Sequence, residues 1–268
     1  MRPFSILLKT LLPITLGFFV GVHWVHSKEM PLSFSMFSKL ETDFKEFDQP
    51  DKSINLILGL GINYKLNKKS SITLSLPFIK SFFGNKEFNY LDGSLGLSYS
   101  FFKNKDGYSL KTHLGIGLPY SKNSRERNYL QTKITFSPTL TYKLKNMPEL
   151  SLSVKPGLTK NFHISNTNID GLSNNSAIWS ISGGGTYQIK NKGSFSLKGS
   201  FLKLITYGGF EKDRYNFESS YSLPITKRLM GQINLSNGGE VNDYNGDLNV
   251  KLFDAQKALM SLTFYYDF

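Results

Sequence analysis

The last eight residues, SLTFYYDF (residues 261–268), close the chain on an aromatic side chain, with Phe264, Tyr266 and Phe268 at alternate positions. Chain ends in water are usually polar and frayed, whereas alternation of period two marks a strand with one apolar face. The same ending recurs through the chain. A tyrosine, any residue and a large apolar residue appear as YKL at Tyr64, YSF at Tyr99, YKL at Tyr142, YQI at Tyr187, YSL at Tyr221 and finally YDF at Tyr266. The first five are followed by NKK, KNKDG, KNMPE, NKG and PITKR, polar stretches rich in turn formers. Phe268 therefore holds the place that Leu66, Phe101, Leu144, Ile189 and Leu223 hold in the other hairpins.

Six descending strands that end alike need six ascending partners. Alternating segments place these near 31–43, 71–81, 108–120, 150–162, 194–207 and 229–237. Beyond residue 30 no long stretch has a helical period, and no shift of composition marks a second domain. The connections alternate short and long, which fits an up-and-down meander better than a propeller or solenoid. Tyr108 and Tyr120, Leu150 and Phe162, and Phe195 and Tyr207 stand twelve positions apart on one face. At ~3.3 Å per residue and a tilt near 45°, twelve steps climb roughly 28 Å, close to the ~25 Å apolar band of a membrane barrel. The expected fold is all-β: an antiparallel up-and-down transmembrane β-barrel of about twelve strands. A soluble sandwich would carry a polar outer face, and here the apolar face is the continuous one.

The start of the chain agrees with export. Arg2 and Lys9 flank the apolar run LLPITLGFFVGVHW, and VHSKEM follows, the layout of a signal peptide over residues 1–27. A retained anchor is the alternative reading, but the apolar run falls short of the ~20 residues that a spanning helix needs. The body is residues 28–268. The absence of cysteine from the sequence excludes disulfides, thiolate zinc sites and an N-terminal lipidated cysteine. The formal charge is +12, mostly lysine, since Arg2, Arg125, Arg127, Arg214 and Arg228 are the only arginines. For an exported protein this points to anionic headgroups or anionic solutes rather than nucleic acid.

These features resemble a Gram-negative outer-membrane β-barrel protein, and the resemblance covers everything after the leader. It is similar in strand number and size to the small twelve-stranded porins of the acidic-oligosaccharide type. The resemblance implies the outer membrane as location, lipid and lipopolysaccharide as surroundings, and a terminal signature read by the barrel assembly machinery. That signature would be Phe264, Tyr266 and Phe268. The last strand lacks the glycine often found upstream in the class.

If Phe268 faces lipid, parity sends Ile54, Leu56, Leu58, Leu60 and Ile62 outward and leaves Asn55, Gly59, Gly61 and Asn63 inside. The inward set is mostly glycine, serine and threonine, with few bulky members such as Tyr90 and Phe102, which implies water-filled space. Lys111, His113, Lys133, Lys155 and Lys198 also point inward, against Asp92 and Glu218. Two readings stand: an anion-attracting pore lining, or lysines that merely solvate themselves or meet headgroup phosphates. The expected function is a passive channel for small, anionic solutes, with no cofactor and no metal.

Two other functions compete with it. His163 and Ser165, near Asp170, Asn174 and Asn175, resemble the histidine and serine of outer-membrane lipid-ester hydrolases, which would require both on the lipid face within hydrogen-bond reach. A non-conducting barrel whose loops bind a partner would instead have its lumen closed by segment 163–176 or 238–257. The expected irregularities are Lys160 and Lys203 on the lipid face and Pro77, Pro119, Pro138, Pro156 and Pro224 within strands. If Leu144 pairs with Leu150, Pro138 faces Pro156 and the ladder breaks there. Residues 238–257 fit either a strand extension or an extracellular hairpin.

Overall fold

The computed structural model describes residues 31–268 apart from 47, 48, 50, 84, 85, 105, 106, 191, 243 and 244. The expected leader lies outside the described residues. The chain forms β1 (Leu32–Asp43), β2 (Ile54–Lys65), β3 (Ser70–Ser81), the short β4 (Phe88–Tyr90), β5 (Gly93–Lys103), β6 (Tyr108–Leu118) and β7 (Leu130–Leu144). It continues with β8 (Met147–His163), β9 (Asn175–Ile189), β10 (Gly193–Thr206), β11 (Glu211–Pro224), β12 (Leu229–Glu240) and β13 (Leu259–Asp267). Each strand pairs antiparallel with its neighbours, and β13 pairs with β1 from Ser35↔Asp267 to Asp43↔Leu259, so the sheet closes on itself. Apart from the three-residue β4, the wall is a closed barrel of twelve strands, and closure leaves no sheet edge unpaired.

The packing is that of a molecule whose apolar solvent is lipid. The buried hydrophobic residues among those described are Met36, Ile54, Tyr215 and Ala258. A water-soluble chain of this length buries a large apolar core. Here Leu97, Ile116, Phe136, Leu158, Trp179, Leu197 and Ile233 are exposed, and all share the outward parity of Phe268. Leu32 pairs with Tyr64, and the Phe268 N–H donates to the Phe34 carbonyl, so both ends of the barrel-forming segment lie at the short-turn end. Among the described residues no helix is long and apolar enough to cross a membrane; the strands do the crossing.

The irregularities have local causes. The ladder between β7 and β8 runs from Lys133↔Asn161 to Phe136↔Leu158, lapses, and resumes at Leu140↔Val154 in the same register. Pro138 and Pro156 fall opposite each other in that gap, and two prolines lack both donors that a hydrogen-bonded pair would exchange. At the turn, however, Leu144 pairs with Met147 rather than Leu150, through a register shift. Pro77 lies opposite the break at Leu91–Asp92 that separates β4 from β5, where its carbonyl takes the Leu91 N–H. Pro119 lies just beyond β6, and Pro224 is the last residue of β11.

Parity counting alone misplaces Tyr90 and Phe102. Tyr90 pairs with outward Phe78, and their rings sit 5.4 Å apart on the outer wall. A bulge between Ser100 and Phe102 sets Phe102 opposite outward Leu110. Each inserted residue reverses the facing of the residues beyond it in the strand. Lys160 and Lys203 do lie on the outward face. Lys203 is bonded to Glu211 at 2.7 Å and lies 3.9 Å from Asp213, while the Lys160 Nζ sits 5.6 Å from the Tyr207 ring centroid.

Candidate functional site

The inward residues are small because they seat large ones. The ring of Phe37 lies over Gly59, and His113 lies over Gly96, so closely that a Cβ at either glycine would stand 2.0 Å and 2.3 Å from ring atoms. Lys133 lies along Gly117 and Lys198 along Gly184 in the same way. Long side chains thus rest against the wall.

The charges divide by side. On β6, β7 and β8, Lys111 occupies the Thr139 row, Lys155 the Ser182 row and Lys133 the row joining Gly117 to Asn161. None of these three forms an ion pair with a described residue. His113 stands between them, with Nδ1 3.2 Å from the Ser98 hydroxyl. Elsewhere three inward cations have an acid beside them, Lys198 3.9 Å from Glu218, Lys39 paired with Glu41 and Arg214 3.8 Å from Glu240, while Lys212 forms no ion pair with a described residue. Phe37 and Tyr265, with ring centroids 6.2 Å apart, add an aromatic pair on the strands that close the barrel. Lys111, Lys198 and Glu218 sit three residues above the short-turn tyrosine rows and Lys155 five, or roughly 7–12 Å at a tilt near 45°.

Toward the long-loop end the lumen holds a cavity of about 860 Å³. Lys133, Asn161, His163, Lys212 and Arg214 line it from below, and segment 167–175 lines it from above. That segment is tied on both flanks. Arg127 donates to Asp170 through Nε and Nη2 at 2.9 and 2.7 Å, Asn174 donates to the Asn128 carbonyl at 2.9 Å, and the Gly208 N–H donates to Ser173 Oγ at 2.9 Å. Asp92 lies at this level with both carboxylate oxygens engaged, one by the Ser121 N–H at 3.0 Å and one by the Ser124 hydroxyl at 2.5 Å.

Lys212 and Arg214, absent from the inward set counted along the sequence, also line this cavity. The alternation of Tyr215 and Phe217 with their neighbours extends back through them and carries the signal. His163 and Ser165 are not assembled as a catalytic pair. His163 Nδ1 lies 3.4 Å from the Tyr207 hydroxyl, Ser165 Oγ lies 3.3 Å from Thr167 Oγ1, and the two share no hydrogen bond. Among the described residues no cluster of three or more histidines and carboxylates could hold a metal.

An apolar exterior, a polar lumen and closure without an edge define a transmembrane β-barrel of the outer-membrane class. Among solved structures the chain is similar to the COG4313 outer membrane channel from Pseudomonas putida F1, at 12% identity and a TM-score of 0.64, over 92% of this chain and 100% of that one. It is also similar to the NanC porin (9% identity, TM-score 0.55, 87% of this chain and 98% of that one) and to the KdgM porin (7%, 0.53, 87% and 99%). At these identities the likeness is one of fold. No family model matches the sequence, and no curated protein matches it.

Proposed function

We propose that the protein is a passive outer-membrane channel for small anionic solutes. The observation that carries this reading is the asymmetry of the lumen. Lys111, Lys133 and Lys155 stand on three consecutive strands without a paired acid, while the inward acids Glu41, Glu218 and Glu240 each neighbour a cation of their own. A narrow, low-dielectric wall with net positive charge concentrates anions and lowers their barrier to passage. The lysines act as a chain of weak sites rather than one tight one, which lets a solute leave as well as enter. Asn161, Thr135 and Thr159 around the upper cavity offer hydrogen bonds to a hydroxylated or carboxylated solute. The fold is shared with an outer membrane channel and with porins, including a complex of the KdgM porin with disordered oligogalacturonate, but fold alone does not choose a solute.

Reversal potential in a planar bilayer under a salt gradient tests the reading. Refolded protein should give steady, anion-selective conductance. Replacing Lys111, Lys133 and Lys155 together by glutamine should move the reversal potential toward the unselective value. Silence from protein that migrates as a folded barrel would overturn the open-channel reading.

A further inference from the structure

After β12 the ladder gains one more step, the Val241 N–H donating to the Asp213 carbonyl, and an antiparallel Asn242–Leu248 bridge then turns the chain back. The returning segment folds down against the outside of the barrel. Its anchors are two outward side chains, Asn237 and Tyr215, only 3% and 6% exposed. Asn237 Nδ2 donates to the Lys251 carbonyl at 2.6 Å, and its Oδ1 accepts the Asp254 N–H at 3.2 Å. The Tyr215 hydroxyl accepts the Lys251 N–H at 3.0 Å. Register fixes these side chains as outward: Asn237 pairs with Phe217 and Tyr215 with Gly239, in an unbroken ladder that also pairs Tyr221 with Ile233.

The strand beneath needs such a cover. The outward apolar run of β12 extends from Leu229 to Leu235 and then gives way to Asn237 and Gly239. Those six steps climb roughly 14 Å, about half of the ~25 Å belt that a barrel presents to lipid. On β8 the outward apolar run spans eight steps, from Leu150 to Leu158, before Lys160 interrupts it. The segment supplies what β12 lacks. Leu248 and Leu252 are 78% and 77% exposed, Phe253 packs edge-on to Phe44 at 5.8 Å, and Leu252 and Phe253 continue the apolar outer surface formed by Leu197, Phe217 and Leu235. Its backbone satisfies the polar atoms of Asn237 and Tyr215, which hydrocarbon could not do. Lys251, between Val250 and Leu252, lies 3.8 Å from Asp254, and long lysine side chains such as it and Lys257 can extend to the interface.

We propose that residues 248–253 form a lipid-inserted strap that completes the hydrophobic belt over β11 and β12, its partner being the hydrocarbon of the outer leaflet. The strap rests on the transmembrane barrel and is independent of whether the lumen conducts.

Because the sequence has no cysteine, a single cysteine introduced at any site can be labelled alone. Nitroxide labels at Leu248→Cys and Leu252→Cys, in protein reconstituted into phosphatidylcholine vesicles, are compared by power saturation with labels at Leu197→Cys on the wall and Ile169→Cys in an exposed loop. Heat-modifiable migration establishes that each variant is folded. The expected result is that 248 and 252 behave as 197 does, open to oxygen and shielded from a water-soluble nickel chelate, with an oxygen-to-nickel accessibility ratio several-fold above that at 169. Ready access of the nickel chelate to both positions would overturn the proposal. Shielding from both relaxants would also overturn it, since a second protein copy rather than lipid would then cover the segment.

Discussion

Asp92 shows how a residue's environment decides its role. By parity it belongs to the lumen as a negative counterweight to the lysines, and it does border the upper cavity. Yet both of its oxygens hold the turn at 121–128, through the Ser121 N–H and the Ser124 hydroxyl. Hydrogen bonds to a charged group contribute about 1.5–3 kcal/mol each. Asp92→Ala should therefore loosen that turn and speed trypsin cleavage after Arg125 and Arg127 by about tenfold or more, provided local opening limits the cut. Limited proteolysis of the folded barrel measures this. An unchanged cleavage rate together with a large shift in ion selectivity would make Asp92 a pore charge first and a turn anchor second.

At the scale of the element, the seam between β7 and β8 is the weak point of the wall. Where Pro138 meets Pro156, neither can donate, so the ladder lapses although its register persists on both sides. Amides bordering the gap, at Phe136, Leu140, Val154 and Leu158, should exchange faster than those of the uninterrupted seam between β10 and β11. Hydrogen exchange in detergent micelles reads this directly, and uniform protection across both seams would refute it. Replacing both prolines by valine returns two donors and should slow the exchange.

This feature was legible in the sequence because it needs only spacing and the missing donors of proline. The six ascending strands were legible for a similar reason: a period of two survives without knowledge of contacts. Tyr90 and Phe102 were not, since parity assumes an unbroken strand and the bulges at Leu91–Asp92 and Phe101 depend on cross-strand pairing. The covering of Asn237 was also hidden, because it joins residues on two strands to a backbone segment well away in sequence. In the lumen, alternation brought out Lys111, Lys133 and Lys155, but which lysines lack an acid depends on register between strands.

For the whole molecule, the seam between β13 and β1 turns a twisted sheet into a barrel, and the chain's last residue sits on it. The Phe268 N–H bonds to the Phe34 carbonyl, and its ring packs edge-on to Tyr266 at 4.7 Å. The hydrogen bond is made by backbone and survives Phe268→Ala; only the ring contact and its lipid-facing surface are lost. One apolar side chain contributes about 1.5–3 kcal/mol, small against a wall held by twelve interstrand seams. A purely structural Phe268 would therefore matter little anywhere. If it is instead part of a recognition signal with Phe264 and Tyr266, its loss acts before the barrel exists. Phe268→Ala should then refold in detergent to a heat-modifiable barrel with near-normal yield, yet reach the outer membrane of cells in much lower amount. Equal losses in both settings would assign the residue to barrel stability, and normal amounts in both would leave it no role in assembly.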